Sequence, residues 1–437
     1  MRKLLTLSAA LLLATPAMAT PAHADDLREA IASDYAANLE DLFIHFHQNP
    51  ELSFQEGETA RRIASELSAL GYQVTEGVGR TGVVAVMENG AGPTVMLRAD
   101  MDGLPVKERS GLAYASTATQ TNLVGKDMPV MHACGHDVHV TSLIGAARQM
   151  ADRREDWSGT IVLIAQPAEE IISGAREMIE DGLYTRFPKP DYALAFHVSA
   201  QLETGKIVVP RAAAYSSSDS VDIYVKGIGA HGASPHKGLD PILVGSQIVV
   251  SLQSLVSRTL SPLDSGVVTV GAFSSGTKHN IISDGAHLQL TVRSDKPEVR
   301  EQLLDGIDRV ARGTAIAMGT PEDLLPEVVR SPTQTTPPTV NDSDLAERVA
   351  QVFSDQLGPD VVINQPRTGM GAEDFAYFVE PRHGVRGTYF AVGGTPADEV
   401  ADAPSHHSPF FKVEPEASVI LGTEAMVVAA LDLLAVE

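Results

Sequence analysis

Several things are scarce in this sequence, and each scarcity excludes something. Among 437 residues there is one cysteine, Cys134, so no intrachain disulfide can form. Aromatic residues make up 5% and charged residues 20%, against 43% hydrophobic. Intrinsic disorder is excluded by that balance, and aliphatic packing must build the core. A chain of this length can do so without staples, in two or three domains. Basic residues are few: 33 Lys and Arg face 56 Asp and Glu, a net charge of −23. No basic patch relieves the excess, so nucleic acid and anionic membranes are not expected partners. No stretch reaches 18 uninterrupted apolar residues, the length a spanning helix needs.

The N-terminus reads as an address. Arg2 and Lys3 precede an apolar run from Leu4 to Ala14, and small residues follow. Residues 1–24 are therefore expected to be a signal peptide cleaved after Ala24, with Ala17-Met18-Ala19 as a second cleavage pattern. The run is too short to span a bilayer, so no membrane anchor should remain and the protein should be periplasmic or secreted. In an oxidising compartment a lone cysteine needs a chemical reason to be there.

Periodicity predicts an α/β fold. Helices are expected at 27–48, 58–70, 137–151 and 173–181, and strands at 82–87, 94–97, 160–165 and 192–196. Such alternation builds a mainly parallel, buried sheet. After about residue 212 the strands alternate polar with apolar, and a β-α-β-β-α order appears. The reading is an α/β catalytic domain (25–212 and 322–437) interrupted by an inserted α+β sandwich (213–321), with the Pro-rich 331–338 as the connection back.

The chemistry is concentrated in Met131-His-Ala-Cys-Gly-His-Asp-Val-His139. Thiolate and imidazole both hold borderline-soft divalent metals, and a helix start beside histidines is expected to lower the Cys134 pKa. Asp100 and Asp102 follow one strand, Glu169 and Glu170 another, and His197 a third. Sites in parallel sheets gather at those carboxyl ends. In the adjacent pair Glu169-Glu170, one carboxylate can ligate metal while the other takes a proton from water. Asp102 could hold a histidine or glutamate in register. Gly227-Ile-Gly-Ala-His-Gly232 matches a dinucleotide pattern, but no helix opens there and no acid follows at the required distance. Glu373 and Asp374 read as helix N-terminal charges.

The motifs Arg98-Ala-Asp-Met-Asp-Gly-Leu-Pro105, His132-Ala-Cys-Gly-His-Asp-Val-His139, Gln166-Pro-Ala-Glu-Glu170, Gly229-Ala-His-Gly-Ala-Ser-Pro-His236, Met370-Gly-Ala-Glu-Asp-Phe375 and His407-Ser-Pro-Phe-Phe411 occur in this order along the chain. Together they resemble the dinuclear metallopeptidases that include aminoacylases and carboxypeptidases, in the branch of hippurate hydrolases and auxin-conjugate amidohydrolases. That resemblance implies two divalent metal ions, zinc or manganese before cobalt or nickel, held by Cys134, His136, Glu170, His197 and His407. It implies Glu169 as general acid/base, with Asp102 supporting the catalytic groups, and a lid through which the protein forms a homodimer. It implies that His231 reaches the substrate carbonyl, often from the partner subunit, and that Asn280 and Arg293 hold a substrate carboxylate. The expected activity is hydrolysis of N-acyl amino acids or short peptides. Two other readings remain open on the residues alone. Cys134 could be the nucleophile of a metal-free amidase, or the chain could bind metal or solute without turnover.

Overall fold

The computed structural model describes residues 21–435, so almost all of the expected signal segment lies outside the described residues. The expected first helix is three consecutive segments, Pro21–Asp34, a π turn at Tyr35–Leu39, and Glu40–Gln48. No helix among the described residues is long and apolar enough to cross a membrane.

The catalytic domain is built on a seven-stranded sheet in the order Gln73–Val78, Gly82–Asn89, Gly159–Gln166, Thr94–Asp100, Tyr192–Glu203, Arg386–Thr395 and Ile207–Val208. The four strands from Gly159–Gln166 to Arg386–Thr395 run parallel, and antiparallel strands flank them. Ile161, Leu163, Val95 and Leu97 on one face and Met96 and Ile164 on the other have no exposed surface, as strands covered on both faces require. Helices His136–Asp152 and Pro415–Leu433 pack together over one face of the sheet.

Register decides what meets at the carboxyl edge. Arg98 stands beside Ala195, and Ala195 beside Tyr389. Two residues further on, His197 stands beside Ala391, and Ala391 beside Val208. His197 was expected just after its strand, but the strand continues to Glu203. Its later residues alternate buried and half-exposed, because beyond Phe196 one face opens into the cleft.

The inserted domain is a four-stranded antiparallel sheet in the order Gly266–Ser275, Gly285–Ser294, Ser218–Lys226 and Glu327–Thr336. Helices Pro241–Ser254 and Pro297–Ala317 pack on it around Ile223, Ile248, Leu288, Leu303 and Ile307. The strand Glu327–Thr336 extends this unit past the expected boundary at residue 321, so the Pro-rich segment is largely sheet. It is an edge strand whose register shifts between its pairings with Asp219 and Val221, and proline is tolerated at such a place.

Candidate metal centre

Gly135 lets Cys134 and His136 face one site from the start of helix His136–Asp152. It has φ 87°, and a Cβ there would lie 2.4 Å from Val198 Cγ1. Cys134 Sγ lies 3.4 Å from His197 Nε2 and 3.4 Å from His407 Nε2. His407 Nε2 is 3.3 Å from Glu170 Oε2, and His136 Nε2 is 3.9 Å from Glu170 Oε1. Separations of roughly 3.3–3.8 Å are the edges of a tetrahedron with bonds of about 2.0–2.3 Å. All five side chains expected as ligands therefore converge. Ala168, Ile172 and His407 carry positive φ, so the backbone is strained at the loops that deliver Glu169, Glu170 and His407.

Tautomers follow from the second ring nitrogens. His136 Nδ1 donates to Asp102 O at 2.8 Å, and His197 Nδ1 donates to Val198 O at 2.7 Å. Each points its Nε2 at the cluster, where a cation would take up the lone pair when bound. His406 differs: its Nε2 accepts from Ala200 N at 3.3 Å, so Nδ1 carries the proton, 3.8 Å from Cys134 Sγ. His406 and His407 both face the cluster, and His406 forms a possible donor group with Cys134 and His197, but the bond from Ala200 leaves its Nδ1 protonated, which favours His407 as the ligand. His136 Nε2 and Glu170 Oε1 are buried and have no hydrogen-bond partner. Two buried polar atoms that face one point without a partner are costly to leave so, and with Cys134 beside them the residues fit a divalent metal.

Asp102 ties the site together. Its carboxylate accepts from Glu169 N and Glu170 N, each at 3.1 Å, and from Ser53 Oγ at 2.6 Å. It thus supports both glutamates as well as His136. Glu56, which lies in none of the motifs, accepts from Ala168 N at 2.8 Å and holds the same loop from the other side.

Below the cluster lies a buried ionic layer that the sequence did not reveal. Arg98 Nη2 donates to Glu373 Oε1 at 2.7 Å, Nη1 to Asp100 Oδ2 at 2.7 Å, and Nε to Gln166 Oε1 at 2.8 Å. Tyr389 also donates to Glu373, and Gln166 donates to Asp374 Oδ1 at 2.6 Å. Glu373 does cap a short helix, at Phe375 N, but Glu373 and Asp374 are buried partners of this layer rather than surface charges. An arginine in the middle of an apolar strand was the available signal, since a buried guanidinium demands carboxylates. Asp100 also accepts from His139 Nδ1 at 2.5 Å, and His139 Nε2 accepts from Val198 N, so Asp100 links this layer to the His197 strand.

Electrostatics follow from burial among carboxylates. Burial, then Glu170 and Glu169, push the Cys134 thiol well above its usual range. This corrects the expectation of a lowered pKa: the neighbouring imidazoles and the helix end are outweighed, and a cation is what would make the thiolate. Burial, Glu373 and Glu170 likewise raise the Glu169 carboxyl. Burial pushes Glu170 up to about 8, with His136 opposing it. Burial alone would lower His136, but Asp100 and Asp102 raise it to about 10.

A cavity of about 1210 Å³ opens beside Cys134, Glu169, Glu170, His197 and His407, and Arg293 also lines it. His231 is exposed on the lid, pairs with Ile281 in a short ladder, and does not line this cavity. Asn280 lies beside His231, likewise outside the cavity lining, with a buried, unpartnered Oδ1.

A parallel sheet with a Cys/His/Glu cluster at its carboxyl edge and an inserted sandwich domain defines a class, the metal-dependent amide hydrolases with a lid. The model for peptidase family M20/M25/M40 matches residues 96–432, and the chain belongs to that family. It is similar to the hippurate hydrolase of Campylobacter jejuni, 38% identical over 348 residues covering 79% of this chain and 86% of that protein. It is 36% identical to the IAA-amino acid hydrolase ILR1-like 2 of Arabidopsis thaliana, covering 84% and 79% of the two chains. A dinuclear metal-binding peptidase of the M20 family from Bacillus subtilis superposes with TM-score 0.75 at 28% identity, covering 93% of this chain and 99% of that one. The protein is an amidohydrolase of this family.

Proposed function

We propose that this enzyme hydrolyses the amide bond of N-acyl amino acids, with two divalent cations held by Cys134, His136, Glu170, His197 and His407. The observation that carries this is the pair of buried polar atoms without partners, His136 Nε2 and Glu170 Oε1, facing one point beside Cys134. Cys134 belongs to two candidate donor groups, one with His197 and His406 and one with His136 and Glu170, so it would serve either cation. Zinc and manganese both accept such a donor set. When bound, the cations supply Lewis acidity, lowering the pKa of water toward about 7 and polarising the amide carbonyl.

The chain's own groups do the rest. Glu169 takes the proton of the attacking water and hands it to the leaving amine. Its buried setting beside Glu373 favours the protonated form it must pass through. Asp102 holds Glu169 and Glu170 at fixed positions through their peptide N–H groups. Arg293 meets the substrate carboxylate. Of the arginines lining the cavity, Arg211 is paired with Glu347 and Arg367 with Asp295, while among the described residues Arg293 has no carboxylate within ion-pair distance. Asn280 would complete that clamp from the lid, its carboxamide NH₂ donating to the carboxylate.

His231 would reach the carbonyl from a partner subunit. The lid supports a homodimer: Leu243 and Val250 are exposed seven residues apart on one helix, and Phe273 is exposed on an edge strand of its sheet. Export rests on the composition of residues 1–24, and mass spectrometry of the secreted chain should find Asp25 at its start. Function is tested by the hydrolysis of N-benzoylglycine by wild type and Glu169→Gln. The variant should keep its metal and lose about 10²–10⁴-fold in turnover. Loss of metal together with activity would contradict the division of roles between Glu169 and Glu170.

A further inference from the structure

The cavity does not end at the metal cluster. His197, Ala391 and Val208 occupy one rung across three adjacent strands, so their side chains point to the same face. All three are half-exposed and all line the cavity, whereas their neighbours Phe196, Val392 and Ile207 are buried on the opposite face. The floor therefore passes from a metal-binding histidine to a methyl group and then to a valine at the sheet edge. Adjacent strands lie about 4.8 Å apart, so Val208 is about 10 Å from His197. Beyond it, Ile207 bridges to Val362, and Ile363 N donates to Ile207 O at 2.9 Å, bringing Val362 and Ile363 to the rim. Val209 and Pro210 continue the wall. Gln365, which donates to Gln201 O at 3.2 Å, closes the solvent side.

We infer that this strip is a binding site for an extended apolar acyl chain, making medium-chain N-acyl amino acids the preferred substrate class. The inference rests on the amide-hydrolase reading and goes beyond it. With the scissile amide at the cluster and the carboxylate at Arg293, the acyl group is the part left to fill this arm. A C–C bond of about 1.5 Å advances roughly 1.3 Å along a zigzag, so a chain of about eight carbons reaches Val208. A chain ending at the acetyl carbon leaves the floor uncovered. Among the described residues, the arginines at the rim of the strip, Arg211 and Arg367, are held by Glu347 and Asp295, and the unpaired Arg293 is assigned to the amino acid carboxylate, so a second carboxylate on the acyl group would find no free partner there.

The test is the metal-loaded enzyme with N-acetylglycine, N-benzoylglycine and N-octanoylglycine, read as kcat/KM. Octanoylglycine should exceed acetylglycine by about 50-fold or more, which is less than full burial of six methylenes would give. Val208→Asp and, separately, Ile363→Ala should each lower the octanoyl-to-acetyl ratio, the aspartate by about tenfold or more. Comparable kcat/KM for acetyl and octanoyl substrates would overturn the inference, as would a ratio unmoved by both variants. Turnover of none of the three by enzyme with metal bound would overturn the amide-hydrolase reading itself, a result distinct from turnover without chain-length preference.

Discussion

Replacing Asp102 by asparagine exchanges one carboxylate oxygen for an NH₂ group, and the surrounding hydrogen bonds set the consequence. Asp102 is 1% exposed, and its two oxygens serve two peptide N–H groups and one hydroxyl. Ser53 can rotate its hydroxyl to accept instead of donate. Glu169 N and Glu170 N cannot. Whichever way the carboxamide is turned, its NH₂ faces a peptide N–H, leaving a buried donor unpaired and removing a charge-assisted bond. The first effect costs about 1–3 kcal/mol, and the loss of charge assistance adds roughly 1 more. The strain falls on the loop carrying both the proton carrier and a proposed ligand. About 3 kcal/mol expressed in the transition state lowers kcat/KM by roughly 100-fold. Metal affinity should fall by about 10- to 100-fold, as when other groups supporting a metal ligand are lost. Kinetics at saturating metal, with melting followed by circular dichroism, separate these effects. An Asp102→Asn enzyme with a lowered melting temperature but a kcat within about threefold of wild type would refute the reasoning, because Asp102 would then hold the fold and not the reaction.

Two further predictions concern parts outside the cluster. His47 is buried between Asp137 and Glu108, at 2.7 and 3.1 Å; burial lowers its pKa, but these carboxylates raise it to about 9. A raised pKa means that its stabilisation is full below the unfolded value of 6.5 and is lost as pH rises through 9. Denaturation should show about 3 kcal/mol of stability lost across that window. His47→Gln should flatten the slope, and an unchanged slope would assign it to other groups. In the lid, Leu243→Asp combined with Val250→Asp should convert a two-chain species to a single chain in sedimentation, while a wild type that sediments as one chain would contradict the proposed dimer.

The convergence of candidate donors was legible in the sequence because they are dense and chemically unusual: Cys134 and His136 two residues apart, and Glu169 beside Glu170. The parallel sheet was legible because its strands are apolar on both faces. The buried layer around Arg98 was not, since Glu373 lies 275 residues away and pairs with it only once the strands are in register. His407 was preferred to its neighbour His406 only by its spacing to Pro409; in the fold both face Cys134 Sγ, His407 at 3.4 Å and His406 at 3.8 Å, and only His406 also receives a hydrogen bond, from Ala200 N. The end of the lid was misread because Pro332 and Pro337 resemble a linker, whereas an edge strand with a register shift accommodates Pro332. The acyl arm had no sequence signal at all, because Ala391 and Val208 are ordinary residues until the sheet aligns them with His197.

The central claim is that a cation pair sits among Cys134, His136, Glu170, His197 and His407. Elemental analysis of the purified enzyme, combined with N-benzoylglycine hydrolysis before and after chelation and metal add-back, tests it most directly. Two metal ions per chain are predicted, with activity that disappears on chelation and returns with the metal. Activity that survives complete removal of metal would contradict the claim and turn attention to Cys134 as the nucleophile.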